Sequence, residues 1–277
     1  MTSAPGHSEG TRMRFAKAHA CGNDFLIVEG PADSALAKRL CDRHTGIGAD
    51  GVEFLERIAP RHGSIRLVNA DGSPAEISGN GTRCVAAWLA REENAAPGDI
   101  LLLDTDAGPR SCTVIAAQGS HYQIAAGMGV PDVAPAQVTL ADMTVVFGIQ
   151  VSTGNPHFVL VVHDENFRAH SRGWTELGRE IGPHKQFPNQ TNVEFLHMIS
   201  ASEIHIRIFE RGVGPTTSSG TGTCATAAAA IAHCGAKSPL TVHAPGGSQR
   251  VEWSGPGTEM ILTGPAELIA AGDILLA

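Results

Sequence analysis

The feature that most constrains this chain is a string that occurs twice. Ser78-Gly79-Asn80-Gly81-Thr82-Arg83-Cys84-Val85-Ala86-Ala87 aligns with Ser219-Gly220-Thr221-Gly222-Thr223-Cys224-Ala225-Thr226-Ala227-Ala228. Upstream, Gly22-Asn23-Asp24-Phe25 echoes Gly154-Asn155-Pro156-His157-Phe158. A polar residue, Asn69 in one half and Glu210 in the other, ends a strand-like stretch nine positions before each serine (78 − 69 and 219 − 210). Three echoes in one order argue for a duplicated domain. A chain of 277 residues has room for two modest domains. The Gly127-Met-Gly-Val-Pro131-Asp-Val-Ala-Pro135 stretch is the expected boundary. Residues 13–130 and 131–277 then form the two domains, with the last strand able to return to the first. Residues 1–12 are small and polar, without the apolar run of a secretory signal, and read as a disordered leader.

Between the repeated strings, strand-like and helix-like stretches alternate. Arg14–Ala18, Phe25–Glu29, Val52–Leu55 and Ser64–Asn69 read as strands of the first half, with Ser34–His44 as a helix that Ser34 is placed to cap. Ile100–Asp104, Cys112–Ala117 and Tyr122–Ala126 follow as strands. In the second half Thr144–Val151, Phe158–Val162, Asn192–Met198 and Ile204–Phe209 read as strands and Trp174–Ile181 as a short helix. Each Ser-Gly-x-Gly string opens a further helix.

Such an opening has a chemical consequence. The first N–H groups of a helix have no intrahelical partner and lie at the positive end of the helix dipole, so they bind a carboxylate or phosphate without Lys or Arg. Gly79, Gly81, Gly220 and Gly222 carry no side chain to block that approach. Two such ends facing each other across a domain interface would clamp one small anion. The plainer role of Ser78 and Ser219 is as helix caps. The helix after Ser219 is small on every face and should be buried centrally.

Other classes drop out. With 20 Lys and Arg against 28 Asp and Glu, the chain lacks the basic surface that nucleic-acid binding needs. No run approaches the ~18 apolar residues of a membrane helix. Six scattered cysteines, with no CxxC pair, suggest neither a disulfide framework nor zinc, and fit a reducing cytoplasm. Gly46-Ile-Gly48-Ala-Asp-Gly51 matches a dinucleotide-binding string, but a helix-like segment precedes it and a strand follows, the reverse of the required context. Glu76 and Thr217 stand where a hydrolase elbow G-x-S-x-G needs glycine. The 13 histidines show no metal-ligand spacing; His157 alone stands out, because it falls within the repeated Gly-Asn motif.

At these residues the sequence resembles the diaminopimelate epimerase family, from Met13 onward. The resemblance rests on Lys17-Ala-His-Ala-Cys-Gly-Asn-Asp-Phe25, Cys41-Asp-Arg-His-Thr-Gly-Ile-Gly-Ala-Asp-Gly51, Asn69-Ala-Asp-Gly-Ser73, Gly79-Asn-Gly-Thr-Arg-Cys84, Gly154-Asn-Pro-His157, Thr191-Asn-Val193, Glu210-Arg-Gly-Val-Gly214 and Gly220-Thr-Gly222. It implies an α/β fold of the α+β type: two pseudo-symmetric domains, each a strongly curved mixed or antiparallel sheet around a central helix. It also implies cofactor-independent interconversion of L,L- and meso-diaminopimelate by two bases, one on each face of the α-carbon. In the family both bases are cysteines; here those positions are Ser78 and Ser219. By the same resemblance, His157 would assist the first serine and Glu210 the second. The N–H groups of Gly79-Asn80 and Gly220-Thr221 would hold the reacting carboxylate. Asn23, Asn69, Asn155 and Asn192 would bind the polar ends, Arg211 the distal carboxylate and Glu210 the distal ammonium. Pro215 departs from the family's usual glutamate. No metal, nucleotide or pyridoxal phosphate is implied, the partner is a small molecule, and a homodimer is compatible.

An alcohol is a far weaker acid than a thiol, which titrates near ~8.5, and serine is poorly placed for acid–base work near neutrality. Several readings therefore stay open: an epimerase slowed by its serines, a non-catalytic diaminopimelate-binding protein, or a related racemase, isomerase or dehydratase. The serines can equally be replacements for cysteines that trap substrate.

Overall fold

A computed structural model describes residues 12–275. The leader expected over 1–12 therefore lies outside the described residues, except for Arg12. That residue opens the first strand, opposite Leu275. The elements of the first half are β1 (Arg12–Ala20), β2 (Asn23–Glu29), α1 (Ser34–Cys41), β3 (Gly51–Ala59), β4 (His62–Asn69), β5 (Pro74–Ala75), α2 (Gly79–Glu92), β6 (Ile100–Thr105), β7 (Gly108–Gln118) and β8 (His121–Gly127). Those of the second are β9 (Asp132–Thr139), β10 (Val145–Ser152), β11 (Pro156–Val161), α3 (Trp174–Ile181), β12 (Asn192–Met198), β13 (Glu203–Glu210), β14 (Gly214–Thr216), α4 (Gly220–His233), β15 (Leu240–Ala244), β16 (Gly247–Glu252) and β17 (Ile261–Leu275).

Local chemistry explains the joints. Cys21 (φ 53°) and Gly22 (φ 81°) are both left-handed, which a two-residue turn between right-twisted strands demands, and Ala20 then pairs with Asn23. The α1 cap differs from expectation. Asp33, in extended conformation, accepts from the N–H groups of Ala35 and Leu36 at 2.9 and 3.0 Å, so Ser34 is already inside the helix.

In the first half the strands close on themselves in the order β1–β2–β3–β4–β6–β7–β8–β17–β1. The pairs β2–β3 and β4–β6 are parallel and the others antiparallel. The second half repeats the pattern in β10–β11–β12–β13–β15–β16–β17, with β11–β12 and β13–β15 parallel. One helix fills each curved sheet. Residues Gly79–Ala90 of α2 and Gly220–Ala230 of α4 are buried, and Ala86, Ala87, Ala227 and Ala228 let strands approach both. This is the two-domain, pseudo-symmetric α+β architecture. β17 joins the halves: its first residues lie between β16 and β8, and its last pair with β1.

Register sharpens the repeat. Gly51, Asn69, Ser78 and Gly81 each have a counterpart 141 residues later in Asn192, Glu210, Ser219 and Gly222. Phe25 pairs with Gly51 and His157 pairs with Asn192. The structural counterpart of Phe25 is therefore His157, the position that the Gly22-Asn23 and Gly154-Asn155 echo gives without a gap.

Candidate active site

Both serines cap their helices. Ser78 Oγ accepts from Gly81 N at 3.1 Å, and Ser219 Oγ accepts from Gly222 N at 3.1 Å while lying 3.4 Å from Thr221 Oγ1. The two helix starts abut. A Cβ added to Gly220 would lie 2.6 Å from Gly79 Cα and 2.9 Å from Asn80 N, so neither glycine position tolerates a side chain without parting the helices. Ser78, Gly79, Ser219, Gly220 and Thr221 border one cavity of about 760 Å³ between the halves, as the facing-ends arrangement requires.

The other expected residues converge there, apart from two. Asn23, Asn69, Asn155, Asn192, Glu210 and Arg211 all line the cavity. Asn23 Nδ2 donates to Asp50 at 2.8 Å, Asn69 Nδ2 donates to Ser73 Oγ at 3.1 Å, and Asn155 Nδ2 donates to Thr221 Oγ1 at 3.3 Å. Asn192 Oδ1 accepts from Arg211 N at 2.9 Å, fixing the start of the loop that carries the guanidinium. Arg211 Nη1 donates to Asn189 O at 3.0 Å, and Nη2 lies a loose 3.7 Å from Glu76, which leaves it available to an incoming carboxylate. Pro215 sits in β14 opposite Phe209, on the cavity wall. The exceptions are Asn80, whose side chain is buried behind the loop, and His157.

His157 corrects an expectation. It is 0% exposed, off the cavity wall, and does not hydrogen-bond Ser78. Nδ1 pairs with Glu194 Oε1 at 2.8 Å and Nε2 with Asn155 Oδ1 at 2.8 Å, so both ring nitrogens are committed. The ring orients a cavity asparagine. Among the described residues, no acid or imidazole hydrogen-bonds the hydroxyl of either serine. Glu210 ends β13, one residue beyond the Val193–Phe209 pair. Burial, reinforced by the nearby Glu194, pushes its carboxyl up to about 7, with His157 and Arg211 opposing. Its charge therefore changes near neutrality.

Two buried acids escape a motif-based reading. Glu53 and Glu194, again 141 apart, each press a carboxyl against the fourth residue of a Ser-Gly-x-Gly turn. A Cβ on Gly81 would fall 1.9 Å from Glu53 Oε1, and one on Gly222 would fall 2.8 Å from Glu194 Oε1. Burial raises both carboxyls, Glu53 to about 8. Glu194 has His157, while among the described residues neither oxygen of Glu53 has a hydrogen-bond partner. The repeat period was the available signal. A second missed group braces the rim: Arg43 donates to Asp24 at 2.7 Å and to Asp50 at 2.8 Å, and Lys17 approaches Asp24 at 3.1 Å. Burial raises the Asp24 carboxyl, but these two cations outweigh it and hold it below its ordinary value. Among the described residues, no three His, Cys, Asp or Glu side chains converge as a metal set would.

A family model described as diaminopimelate epimerase matches residues 15–133 and 149–269. A diaminopimelate epimerase from Xanthomonas euvesicatoria is 36% identical, covering 98% of this chain and 99% of its own. One from Halothermothrix orenii is 37% identical, over 95% of this chain and 98% of its own. Solved structures share the fold at low identity. A hydroxyproline epimerase from Agrobacterium vitis superposes with TM-score 0.69 at 16% identity, over 96% of this chain and 92% of its own. A phenazine biosynthesis protein of the PhzF family from Bacillus anthracis gives 0.68 at 16%, over 96% and 100%. By near-full-length likeness, on top of a cavity built from two matched helix starts, the chain belongs to the diaminopimelate epimerase family of isomerases.

Proposed function

We propose that this chain interconverts L,L- and meso-diaminopimelate without a cofactor, at a rate held down by its two alcohols. The observation that carries the reading is the contact of two serine-capped helix starts, Gly79 against Gly220, within one cavity. A carboxylate seated there meets the free N–H groups of Gly79-Asn80 and Gly220-Thr221 and the positive ends of two helix dipoles. When the adjacent Cα–H bond breaks, its electron pair moves onto that carboxylate, where those N–H groups stabilise the developing charge. The proton goes to the serine on one face, reacting as its alkoxide, and the hydroxyl of the serine on the other face gives up its own to carbon. Arg211 takes the distal carboxylate. Glu210 takes an ammonium group, and Asn23, Asn69, Asn155 and Asn192 fix the polar ends.

The serines set the limit. Each hydroxyl oxygen already accepts a helix N–H, and no neighbouring base draws off its proton, so an alkoxide is scarcely populated. The halves that clamp the substrate are residues 13–130 and 131–277, acting in the cytoplasm as a monomer or homodimer.

Proton NMR of L,L-diaminopimelate in D₂O tests the reading, comparing the native chain with the S78C/S219C variant. The native chain should exchange the α-proton and form the meso isomer slowly, and the variant should do so at least about a hundredfold faster, the scale of a well-matched acid–base pair. A silent native chain beside an active variant would make this a diaminopimelate-binding protein. Silence from both removes diaminopimelate as the substrate.

A further inference from the structure

Arg83 is the largest side chain that the fold buries completely, at 0% exposure. It lies one turn into α2, directly behind the helix start. Nη1 donates to Gly79 O at 2.9 Å, Nη2 to Asn80 Oδ1 at 2.7 Å, and Nε to Pro265 O at 3.4 Å. Among the described residues it forms no salt bridge. Burial pushes its guanidinium down from its ordinary value. A buried cation without an anion is expensive, and folds seldom keep one unless something supplies the missing charge. The chain makes room for it: a Cβ on Gly264 would crowd the guanidinium at 3.2 Å.

Asn80 relays this charge across the domain seam. Its carbonyl oxygen accepts from Arg83 and from Gln249 (3.1 Å), and its amide donates to Asn23 (3.2 Å) and to Ser218 (3.2 Å). Asn23 and Asn80 belong to the first half, Ser218 and Gln249 to the second. The repeat counterparts of Asn80 and Arg83 are Thr221 and Cys224, so only one of the two helix starts is backed by a charge.

We propose that Arg83 is a positioning and electrostatic residue whose counter-ion is the carboxylate of the bound substrate. Resting on the substrate reading above, this deepens it: affinity for a carboxylate at the clamp is set by the buried guanidinium, acting through Gly79 and Asn80, as well as by the helix N–H groups. Without that charge the clamp should hold the α-carboxylate more weakly, in diaminopimelate and in lysine alike.

Two variants separate this from a packing role. R83Q removes the charge. N80D keeps the guanidinium but gives it an internal carboxylate at the 2.7 Å position. Calorimetric titration with meso-diaminopimelate and with L-lysine, which share the α-carboxylate, should show the affinity for each falling at least about tenfold in both variants. R83K should stay within about threefold of native for both ligands. Acetate is the probe independent of diaminopimelate. It should raise the Tm of the native chain and leave that of N80D unmoved. If N80D, folded by near-UV circular dichroism, keeps the native affinities and the native acetate shift, the proposal is overturned. If the native chain ignores diaminopimelate but shows an acetate shift that N80D loses, the substrate reading fails and the role of Arg83 stands. If R83Q does not fold, N80D decides alone.

Discussion

Replacing Glu53 by glutamine should cost this protein stability in acid and regain it at alkaline pH. The carboxyl is 1% exposed, both oxygens lack partners among the described residues, and burial raises it from its ordinary 4.5 to about 8. The folded chain therefore holds this proton more tightly than the unfolded chain does. Stability contributed by the neutral acid is complete below about 4.5 and is lost as pH rises toward about 8. At about 1.4 kcal/mol per pH decade, the loss reaches roughly 5 kcal/mol, discounted to a few by local relaxation. Glutamine has nearly the same shape, so it fits against Gly81. It buries two amide N–H groups in place of one O–H, at about 1–3 kcal/mol. Urea denaturation from pH 4 to 9 should then show E53Q less stable than native by about 1–3 kcal/mol at the acid end, with the gap closing and the variant level or ahead by up to about 2 kcal/mol at the alkaline end. Glu194 and Glu210 slope the same way but are present in both proteins and cancel in the difference. A difference that stays flat across this range would refute a neutral, unpartnered Glu53.

Two further outcomes follow from the cavity. G220A places a methyl group 2.6 Å from Gly79 Cα, where only backbone could yield. Calorimetry should show diaminopimelate affinity down more than about tenfold, and thermal unfolding a cost of about 1–3 kcal/mol from overpacking. Glu210 gains its charge only as pH passes about 7, so binding of the substrate ammonium should strengthen as pH rises from 6 to 8. In E210Q, the same titration should be weaker and flat across that range; a persisting pH dependence would assign it to another group.

How much of this was readable from the sequence depended on whether the information was local. The Ser-Gly-x-Gly openings were legible because a cap, two glycines and a run of small residues are contiguous, and the structure puts Ser78 and Ser219 at the cap positions. β9 went unread, and β17 was expected only as a last strand without bounds, because their prolines and glycines look like breakers. Yet Pro135 lies on a strand whose one described partner is β10, where a missing N–H costs nothing on the open side. In β17, Gly264 faces the Arg83 guanidinium and Gly272 faces Phe15, so those glycines answer to distant side chains. The buried polar set was hidden for a related reason. Nothing local marks Glu53, Arg83 or Glu194, because each acquires meaning only when a helix start from elsewhere in the chain is laid on it.

The register resolves the same issue for His157. Duplication gave both halves the same strand pairs, but Phe25 occupies the place in the first half that His157 holds in the second. One buried glutamate is therefore partnered and the other is not. The asymmetry extends to Arg83, which backs one helix start while Cys224 stands behind the other. A substrate whose α-carbon lies between two unlike faces needs such differences to be held in one orientation. The halves of this chain diverged in the buried residues behind the loops while the serines, glycines and capping bonds in contact with the cavity stayed matched.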